Sequence, residues 1–377
     1  MTSPEARRRR QAVGGLAALA AVAGAIVGAG AGNDATEAVF EPGYCEQQAV
    51  DRVAGQGVMV RMEGQATPAL LEQARKGEIG GVVLFPPAEI AGKRLAGELK
   101  RLQAAAAAGN NPRLLVAIDQ EGGVVERLPA LPPQVSPFTI AQNDDRDTAV
   151  LEGRATGFQL RELGIDVNLA PVLDVPASDA QFMAPRAFGS NPAQVSRLGL
   201  AFASGQRRES VAATAKHFPG LGRAVENTDL APTAIATSRT GLRSDLAPFR
   251  AAIEQGIELI MLSSAAYPGL GSRAPAVLAP EIATALLRDD LGFTGVTISD
   301  DLLAPGISTD YPRREAAALA SAAGVDVQLF AAEDAPGIAS GLTAATGTGE
   351  LDERELRASC ARVVDLKERL ATGESLE

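Results

Sequence analysis

Residue types that build many active sites are scarce in this sequence of 377 residues. It contains no tryptophan, a single histidine and two cysteines. One histidine cannot form a multi-histidine metal centre, and two cysteines cannot form a disulfide-rich scaffold. The sequence therefore excludes most zinc enzymes and predicts neither a metal site nor a cofactor.

Positive charge is also in deficit, with 35 Lys and Arg against 46 Asp and Glu, for a net charge of −11. Proteins that bind nucleic acid place basic surfaces against the phosphate backbone, so this sequence predicts no nucleic-acid partner. Charged residues make up 21% and apolar residues 46% of the chain. That composition indicates a folded globular protein with a large core.

The N-terminus has the pattern of an export segment. Arg7–Arg10 is positively charged, and residues 11–32 carry no charge and are rich in Ala and Gly. Because small-residue sites near Gly28–Gly32 resemble cleavage sites, we interpret residues 1–32 as a signal peptide. The apolar run is long enough to span a bilayer, so a retained signal anchor is the alternative. We expect an extracytoplasmic protein, secreted or anchored facing outside, with membrane association only through residues 11–32.

Beyond a lead-in at residues 33–52, short apolar runs alternate with stretches of helical pattern. Near-continuous apolar runs between helices are typical of parallel strands that are buried on both faces. Eight runs of this kind occur: Val58–Met62, Gly81–Phe85, Leu114–Asp119, Val167–Pro171, Ala212–Phe218, Leu259–Ser264, Val296–Asp301 and Val325–Phe330.

The helical signal is clearest in Val150–Leu163, where Leu151, Ala155 and Phe158 recur at helical spacing and Gly164 follows as a stop. Eight strands that alternate with helices predict an α/β fold, a single-domain (β/α)₈ TIM-type barrel. We assign it to residues 53–370, with a tail at 371–377. A doubly wound sheet would need a glycine-rich phosphate loop after the first strand, and the sequence has none there.

Polar residues gather where three of the predicted strands end. These clusters are Asp119–Gly123 at the end of the third strand, Lys216–Gly220 at the end of the fifth, and Ser299–Asp301 at the end of the seventh. In a barrel the carboxyl ends of the strands meet on one face, which carries the active site in barrel enzymes. Each carboxylate taken alone could instead cap a helix. Their shared position favours a single site.

Four motifs in these regions carry a resemblance to a known family. They read IDQEGG at 118–123, LAPVLDV at 169–175, KHFPGLG at 216–222 and GFTGVTISDDL at 292–302. In this order they resemble the N-terminal barrel domain of glycoside hydrolase family 3, and most closely the bacterial single-domain β-N-acetylglucosaminidases. The resemblance runs from about Val53 to Leu370. The β-glucosidase branch of the family is a weaker match, because its proton donor lies on a further C-terminal domain.

The resemblance implies a retaining exo-glycosidase that removes terminal β-linked N-acetylglucosamine from cell-wall fragments or related glycoconjugates. The carbohydrate is then the expected partner, and the low aromatic content of 4% suits a small pocket better than a long stacked cleft. Asp300 matches the nucleophile. Alternation along a strand predicts that Asp301 points away from the mouth while Asp300 points into it. Residues that match sugar-binding positions are Asp119, Arg127, Arg186, Lys216 and His217.

Two departures from the family pattern affect the predicted site. The loop after the fifth strand lacks the Asp-x-His pair whose His acts as acid/base, and it reads ENTDLAP from Glu226 to Pro232. Either Asp229 or Glu226 could replace that His, since a carboxylic acid with a raised pKa serves this role in most glycosidases. In addition, Val124 stands where the family often has Arg.

Two other functions fit parts of the sequence. The missing His is consistent with a catalytically silent barrel that binds sugar. Lys216 lies at a strand end where a Schiff-base aldolase could hold its lysine, although that function would leave Asp300 without a role.

The two cysteines lie near the ends of the predicted barrel, Cys45 before the first strand and Cys360 after the eighth. Barrel closure brings these segments together, and an exported protein folds in an oxidising compartment. We therefore predict a Cys45–Cys360 disulfide, with two buried free thiols as the alternative.

Overall fold

The computed structural model of the protein describes residues 43–377 other than 88–91, 178, 179, 181 and 333–336. The predicted export segment at 1–32 and residues 33–42 of the lead-in lie outside the described residues. Within the part that is described, no helix is both long enough and apolar enough to cross a membrane.

Eight parallel strands form the centre of the fold: β1 Val58–Met62, β2 Gly81–Leu84, β3 Leu115–Ile118, β4 Val167–Asn168, β5 Ala212–Phe218, β6 Leu259–Leu262, β7 Val296–Ser299 and β8 Gln328–Phe330. Their order in the sheet is β8-β1-β2-β3-β4-β5-β6-β7. A parallel bridge between Ile298 and Val327 connects β7 to the residues just before β8 and completes the ring. The predicted (β/α)₈ barrel is therefore confirmed.

Helices precede, connect and follow the strands. The α-helices are α1 Tyr44–Gln47, α2 Val50–Gln56, α3 Pro68–Lys76, α4 Lys93–Ala108, α5 Pro137–Asn143, α6 Arg146–Leu163, α7 Pro192–Arg207, α8 Arg243–Glu254, α9 Pro305–Ser308, α10 Arg313–Ala322, α11 Ile338–Thr348 and α12 Glu353–Thr372. A π-helix, Glu281–Asp290, lies between β6 and β7, and short 3₁₀ turns occur at Ala184–Arg186, Pro268–Leu270 and Ala276–Leu278.

Helix α6 contains the predicted Val150–Leu163 and ends at the predicted stop, where Gly164 has a φ of +81°. The face that it buries differs from the one that the apolar spacing suggests, because Leu151 is 66% and Phe158 49% exposed. The buried face includes Gly153, where an added Cβ would lie 2.1 Å from the Phe202 carbonyl oxygen of α7. Small residues therefore let α6 and α7 approach closely.

Helix α12 closes the end of the barrel at which the strands begin. Its Leu366 and Leu370 pack into the apolar interior of the barrel. Lys367 Nζ lies 2.7 Å from Gln56 Oε1, and Arg362 Nη2 lies 2.7 Å from Asp326 Oδ1. Gln56 and Asp326 both come just before a strand, so these contacts place α12 opposite the carboxyl ends.

A disulfide joins α1 to α12. Cys45 and Cys360 have Cα atoms 5.9 Å apart and sulfurs 2.04 Å apart, and each residue is only 2% exposed. The bond links positions 315 residues apart. It therefore connects the segment before the barrel to the helix that closes it.

Candidate active site

A pocket of about 350 Å³ opens at the carboxyl ends of the strands. Its walls come from the loops that follow β3, β5 and β7, as the polar clusters in the sequence predict. Seven of the eight predicted catalytic and binding residues line it: Asp119, Arg127, Arg186, Lys216, His217, Asp229 and Asp300. Glu226 is exposed and does not line the pocket.

Lys216 lies at the centre of a buried charge network. Its Nζ is 2.7 Å from Asp119 Oδ1 and 2.6 Å from Glu121 Oε1. Burial alone would lower the pKa of Lys216, but the charges of Asp119 and Glu121 outweigh burial and raise that pKa above its usual value. The amine is therefore held protonated, which is the opposite of what Schiff-base formation requires.

Glu121 connects the two cations of the network, and the sequence analysis did not single it out. Arg186 donates to it through Nε at 2.9 Å and Nη2 at 2.8 Å, in a fork-to-fork pair. Burial raises the pKa of Glu121, yet the charges of Arg186 and Lys216 prevail and hold it well below the usual range. Its place inside the IDQEGG motif was the only signal in the sequence.

His217 is oriented by a second residue that the sequence analysis missed. Asp174 is fully buried, and its Oδ2 lies 2.7 Å from His217 Nδ1. The same carboxylate accepts from the backbone N–H of His217 at 3.2 Å and of Leu221 at 2.6 Å. When Nδ1 donates to Asp174, Nε2 is the ring nitrogen left for a ligand. Asp174 belongs to the LAPVLDV motif, which pointed to this strand end.

Both Lys216 and His217 line the pocket although they are consecutive residues. Alternation along a regular strand would send them to opposite sides. The register of β5 against β6 shifts between Lys216 and Phe218, so the ladder is irregular at this point. The Lys216–His217 peptide bond is cis.

Asp300 and Asp301 also both line the pocket, which differs from the expected alternation. The strand β7 ends at Ser299, so its alternation does not extend to this pair. Asp301 Oδ1 accepts from the backbone N–H groups of Leu303 and Ala331, each at 2.9 Å. Asp301 therefore joins the loops that follow β7 and β8, whereas Asp300 Oδ1 accepts the N–H of the neighbouring Asp301 at 2.8 Å.

Burial is the largest influence on the Asp300 carboxyl and raises its pKa. His217 and Lys216 lower the pKa, while the charge of Asp229 raises it. The pKa of Asp300 stays above its usual value, because burial and Asp229 together outweigh the contributions of His217 and Lys216.

The loop after β5 presents Asn227, Thr228 and Asp229 to the pocket. The Asp229 N–H donates to Asn227 Oδ1 at 3.0 Å, and the Thr228 carbonyl accepts from the Gly306 N–H at 2.9 Å. These bonds fix the loop against the segment after β7. Of the two carboxylates considered for the proton donor, only Asp229 reaches the pocket.

Arg127 completes the wall on the β3 side. Its guanidinium carbon lies 4.3 Å from the centroid of the Phe85 ring, and its Nη2 is 3.8 Å from Asp119 Oδ2. Arg127 follows a hairpin formed by Gln120–Gly122 and Val125–Glu126. Among the described residues, no cluster of three or more His, Cys, Asp or Glu could hold a metal ion.

Charged groups around a small pocket at the carboxyl ends of a (β/α)₈ barrel are the arrangement of a barrel enzyme. Comparison with known proteins specifies which kind. The family profile described as glycosyl hydrolase family 3 N terminal domain matches residues 50–366. The chain belongs to this family and is a glycoside hydrolase.

Three relatives illustrate the similarity. An uncharacterized secreted glycosyl hydrolase of Arthroderma benhamiae is 36% identical over 330 residues, which cover 84% of this chain and 93% of that protein. A beta-hexosaminidase of Methylococcus capsulatus is 33% identical over 274 residues, which cover 70% of this chain and 80% of that protein. The solved structure of a family 3 beta-N-acetylglucosaminidase from Paenibacillus sp. FPU-7 superposes with a TM-score of 0.82 and has 31% sequence identity. The match covers 88% of this chain and 66% of that one.

Proposed function

We propose that this protein is an extracytoplasmic, retaining exo-β-N-acetylglucosaminidase that acts on cell-wall fragments or related glycoconjugates. The observation that carries the proposal is the pocket itself, which gathers Asp300, Asp229 and the predicted sugar-binding residues. Relatives named beta-hexosaminidase and beta-N-acetylglucosaminidase support the choice of sugar. The pattern of residues 1–32 and a relative named as secreted support the location.

In the proposed mechanism, Asp300 attacks the anomeric carbon while Asp229 donates a proton to the leaving oxygen. The bond to the aglycone breaks and a glycosyl-enzyme forms on Asp300. Asp229 then removes a proton from water, which attacks the anomeric carbon and releases the sugar with its original configuration. Two displacements at one carbon account for retention.

The remaining polar residues bind and orient the terminal sugar. Lys216, Asp119 and Arg186 are held in place by their bonds to one another and to Glu121, so their polar groups are preorganised. His217 is fixed by Asp174. A pocket of about 350 Å³ lies near the lower end of the usual range for small ligands, which suits one terminal sugar.

A catalytically silent sugar-binding barrel is the second candidate. The observation that favours it is the absence of His from the β5 loop, where the resembling enzymes carry their acid/base. Such a protein would bind N-acetylglucosaminides without turning them over. An assay of the purified protein against chromogenic monosaccharide glycosides distinguishes the two candidates directly.

Two matched variants test the proton donor. We expect Asp229→Asn to slow poor leaving groups by about 10²–10⁴-fold and to affect activated aryl glycosides little, since general acid catalysis contributes about that much. Glu226→Gln, three residues away and outside the pocket, is the control and should change neither. A loss in Asp229→Asn that is independent of leaving-group pKa would contradict the acid role and favour the silent barrel.

A further inference from the structure

His217 is the only histidine in the sequence, and it lines the pocket. We infer that Asp174 is a positioning residue that keeps the ring proton of His217 on Nδ1, so that Nε2 accepts a hydrogen bond from one hydroxyl of the terminal sugar. At that position the pocket selects a group that donates a hydrogen bond and rejects one that can only accept. This inference rests on the proposed function, because it takes the pocket as the site of the terminal sugar.

The backbone holds Asp174 beside His217. The segment after β4 runs along β5, where the Leu173 N–H donates to the Lys216 carbonyl at 2.7 Å and Val172 forms a parallel bridge with Lys216. Asp174 is 0% and His217 4% exposed. Because water has almost no access to either side chain, the contact of 2.7 Å between Asp174 Oδ2 and His217 Nδ1 is a fixed part of the site.

The surroundings of Asp174 favour an ionised carboxylate. Its Oδ1 accepts from the Leu221 N–H at 2.6 Å, and both of its oxygens lie 3.2 Å from the His217 backbone nitrogen. Such hydrogen bonds stabilise the charged form of a carboxyl group. Burial lowers the pKa of Arg186, but the charges of Glu121 and, more weakly, of Asp174 help to raise it above its usual value, so a cation lies within range of Asp174. An ionised carboxylate can only accept, and the hydrogen between Oδ2 and Nδ1 therefore belongs to the ring.

The free ring nitrogen of His217 adds a neutral acceptor to the pocket. Lys216, Arg127 and Arg186 can only donate hydrogen bonds. A neutral imidazole with its proton on Nδ1 presents a bare lone pair at Nε2. A site built to bond a hydroxyl discriminates against an analogue that lacks the hydroxyl, because the polar group of the site is then left unpaired. The tautomer of His217 thus determines which substituents are tolerated at one position of the sugar.

The substitution Asp174→Asn should reverse this arrangement while keeping the shape of the side chain. The backbone N–H groups of Leu221 and His217 require an acceptor at the place of Oδ1, so the amide oxygen lies there. The amide NH₂ then takes the place of Oδ2 and faces Nδ1, which has to accept. The ring proton moves to Nε2, and Nε2 changes from an acceptor into a donor.

NMR of the histidine ring tests the tautomer directly. With a single histidine in the sequence, protein labelled with ¹⁵N-histidine and prepared without a histidine tag reports His217 alone. At about pH 8, above the ordinary histidine pKa of about 6.5, we expect a proton on Nδ1 and none on Nε2 in the wild type, and the reverse in Asp174→Asn. A proton on Nε2 of the wild type would overturn the inference. The wild-type spectrum gives this answer even if the variant does not fold.

Fluorinated substrates test the consequence for specificity. In the 3-, 4- and 6-deoxyfluoro analogues of an activated aryl β-N-acetylglucosaminide, fluorine can accept a hydrogen bond weakly but cannot donate one. At one of these positions, the ratio of kcat/KM for hydroxyl over fluorine should fall by about two- to tenfold in Asp174→Asn, the usual worth of one neutral hydrogen bond. The ratios at the other two positions should stay as in the wild type. The electronic effect of fluorine on bond cleavage is common to both enzymes and cancels from the comparison.

Asp326→Asn is the matched control. Asp326 is also buried, at 1% exposure, but it pairs with Arg288 and Arg362 at the opposite end of the barrel. This variant should lose stability and yet keep the wild-type tautomer and all three ratios. Ratios that stay unchanged at every position in Asp174→Asn would overturn the inference. If no N-acetylglucosaminide is hydrolysed, the proposed function fails instead, and the tautomer still decides the role of Asp174.

Discussion

The charge network under the pocket makes a strong prediction for the substitution Glu121→Gln. The Glu121 side chain is 1% exposed and binds Lys216 at 2.6 Å and Arg186 at 2.8 and 2.9 Å. A glutamine has the same shape but no charge, and its NH₂ group must face one of the two cations. Lys216 keeps Asp119 as a partner, whereas Arg186 loses its bidentate anion.

The size of the effect follows from burial. Removing one member of a buried ion pair costs about 3–5 kcal/mol, because the remaining charge stays out of water without compensation. We expect a loss of about that size in the free energy of unfolding at pH 7. The pKa of Glu121 is lowered in the folded state, so its stabilisation is complete above the ordinary glutamate pKa, about 4.3. It is lost as the pH falls further toward the folded-state pKa.

Denaturant unfolding of the wild type and Glu121→Gln at pH 7 and at pH 3.5 measures both effects. The difference between the two proteins should shrink at the lower pH. Glu98→Gln provides the control, since Glu98 is 20% exposed and pairs with the exposed Arg101, a contact worth at most about 1 kcal/mol. If Glu121→Gln cost no more than Glu98→Gln, the network would not hold the site together as argued.

The barrel could be predicted from sequence because its strands are short and buried on both faces. Parallel strands of this kind appear as apolar runs with few polar interruptions, so their positions can be predicted from the sequence. Val58–Met62 and Ala212–Phe218 match β1 and β5 at both ends. The predicted strand Val167–Pro171 is shorter in the structure, where only Val167–Asn168 belongs to the sheet. The predicted run contains a proline, which has no N–H to donate to a neighbouring strand.

The buried face of a helix was harder to predict. Apolar spacing in α6 marks Leu151 and Phe158, yet Gly153 and Gly157 face α7 at close range. An added Cβ at Gly157 would lie 2.8 Å from the backbone of Gln206. Which face packs depends on the shape of the partner helix, and a single amphipathic pattern does not contain that information.

Site residues that act through other residues were also missed. Asp174 and Glu121 contact their partners across 43 and 65 positions of sequence, so no local pattern links them. The choice between Asp229 and Glu226 depends on the path of one loop, which counting along the sequence left open. Folded geometry distinguishes them, since only Asp229 lines the pocket.

Three further predictions concern the nucleophile, the disulfide and pH. Asp300→Asn should keep the fold by circular dichroism and lose all but a few per cent of activity on an activated aryl glycoside, whereas Asp301→Asn should lose less. The double variant Cys45→Ala, Cys360→Ala should unfold at lower denaturant concentration, with a loss of about 3–5 kcal/mol, because the disulfide closes a loop across 315 positions; an unchanged midpoint would contradict this. Finally, the raised pKa of Asp300 places the acidic limb of kcat/KM above the ordinary aspartate pKa of about 3.9 if Asp300 must be ionised to attack. Burial is the largest cause of that shift, and an activated aryl glycoside, which needs no proton donor, reports the nucleophile alone. An acidic limb at or below about 3.9 on that substrate would contradict the raised pKa of Asp300.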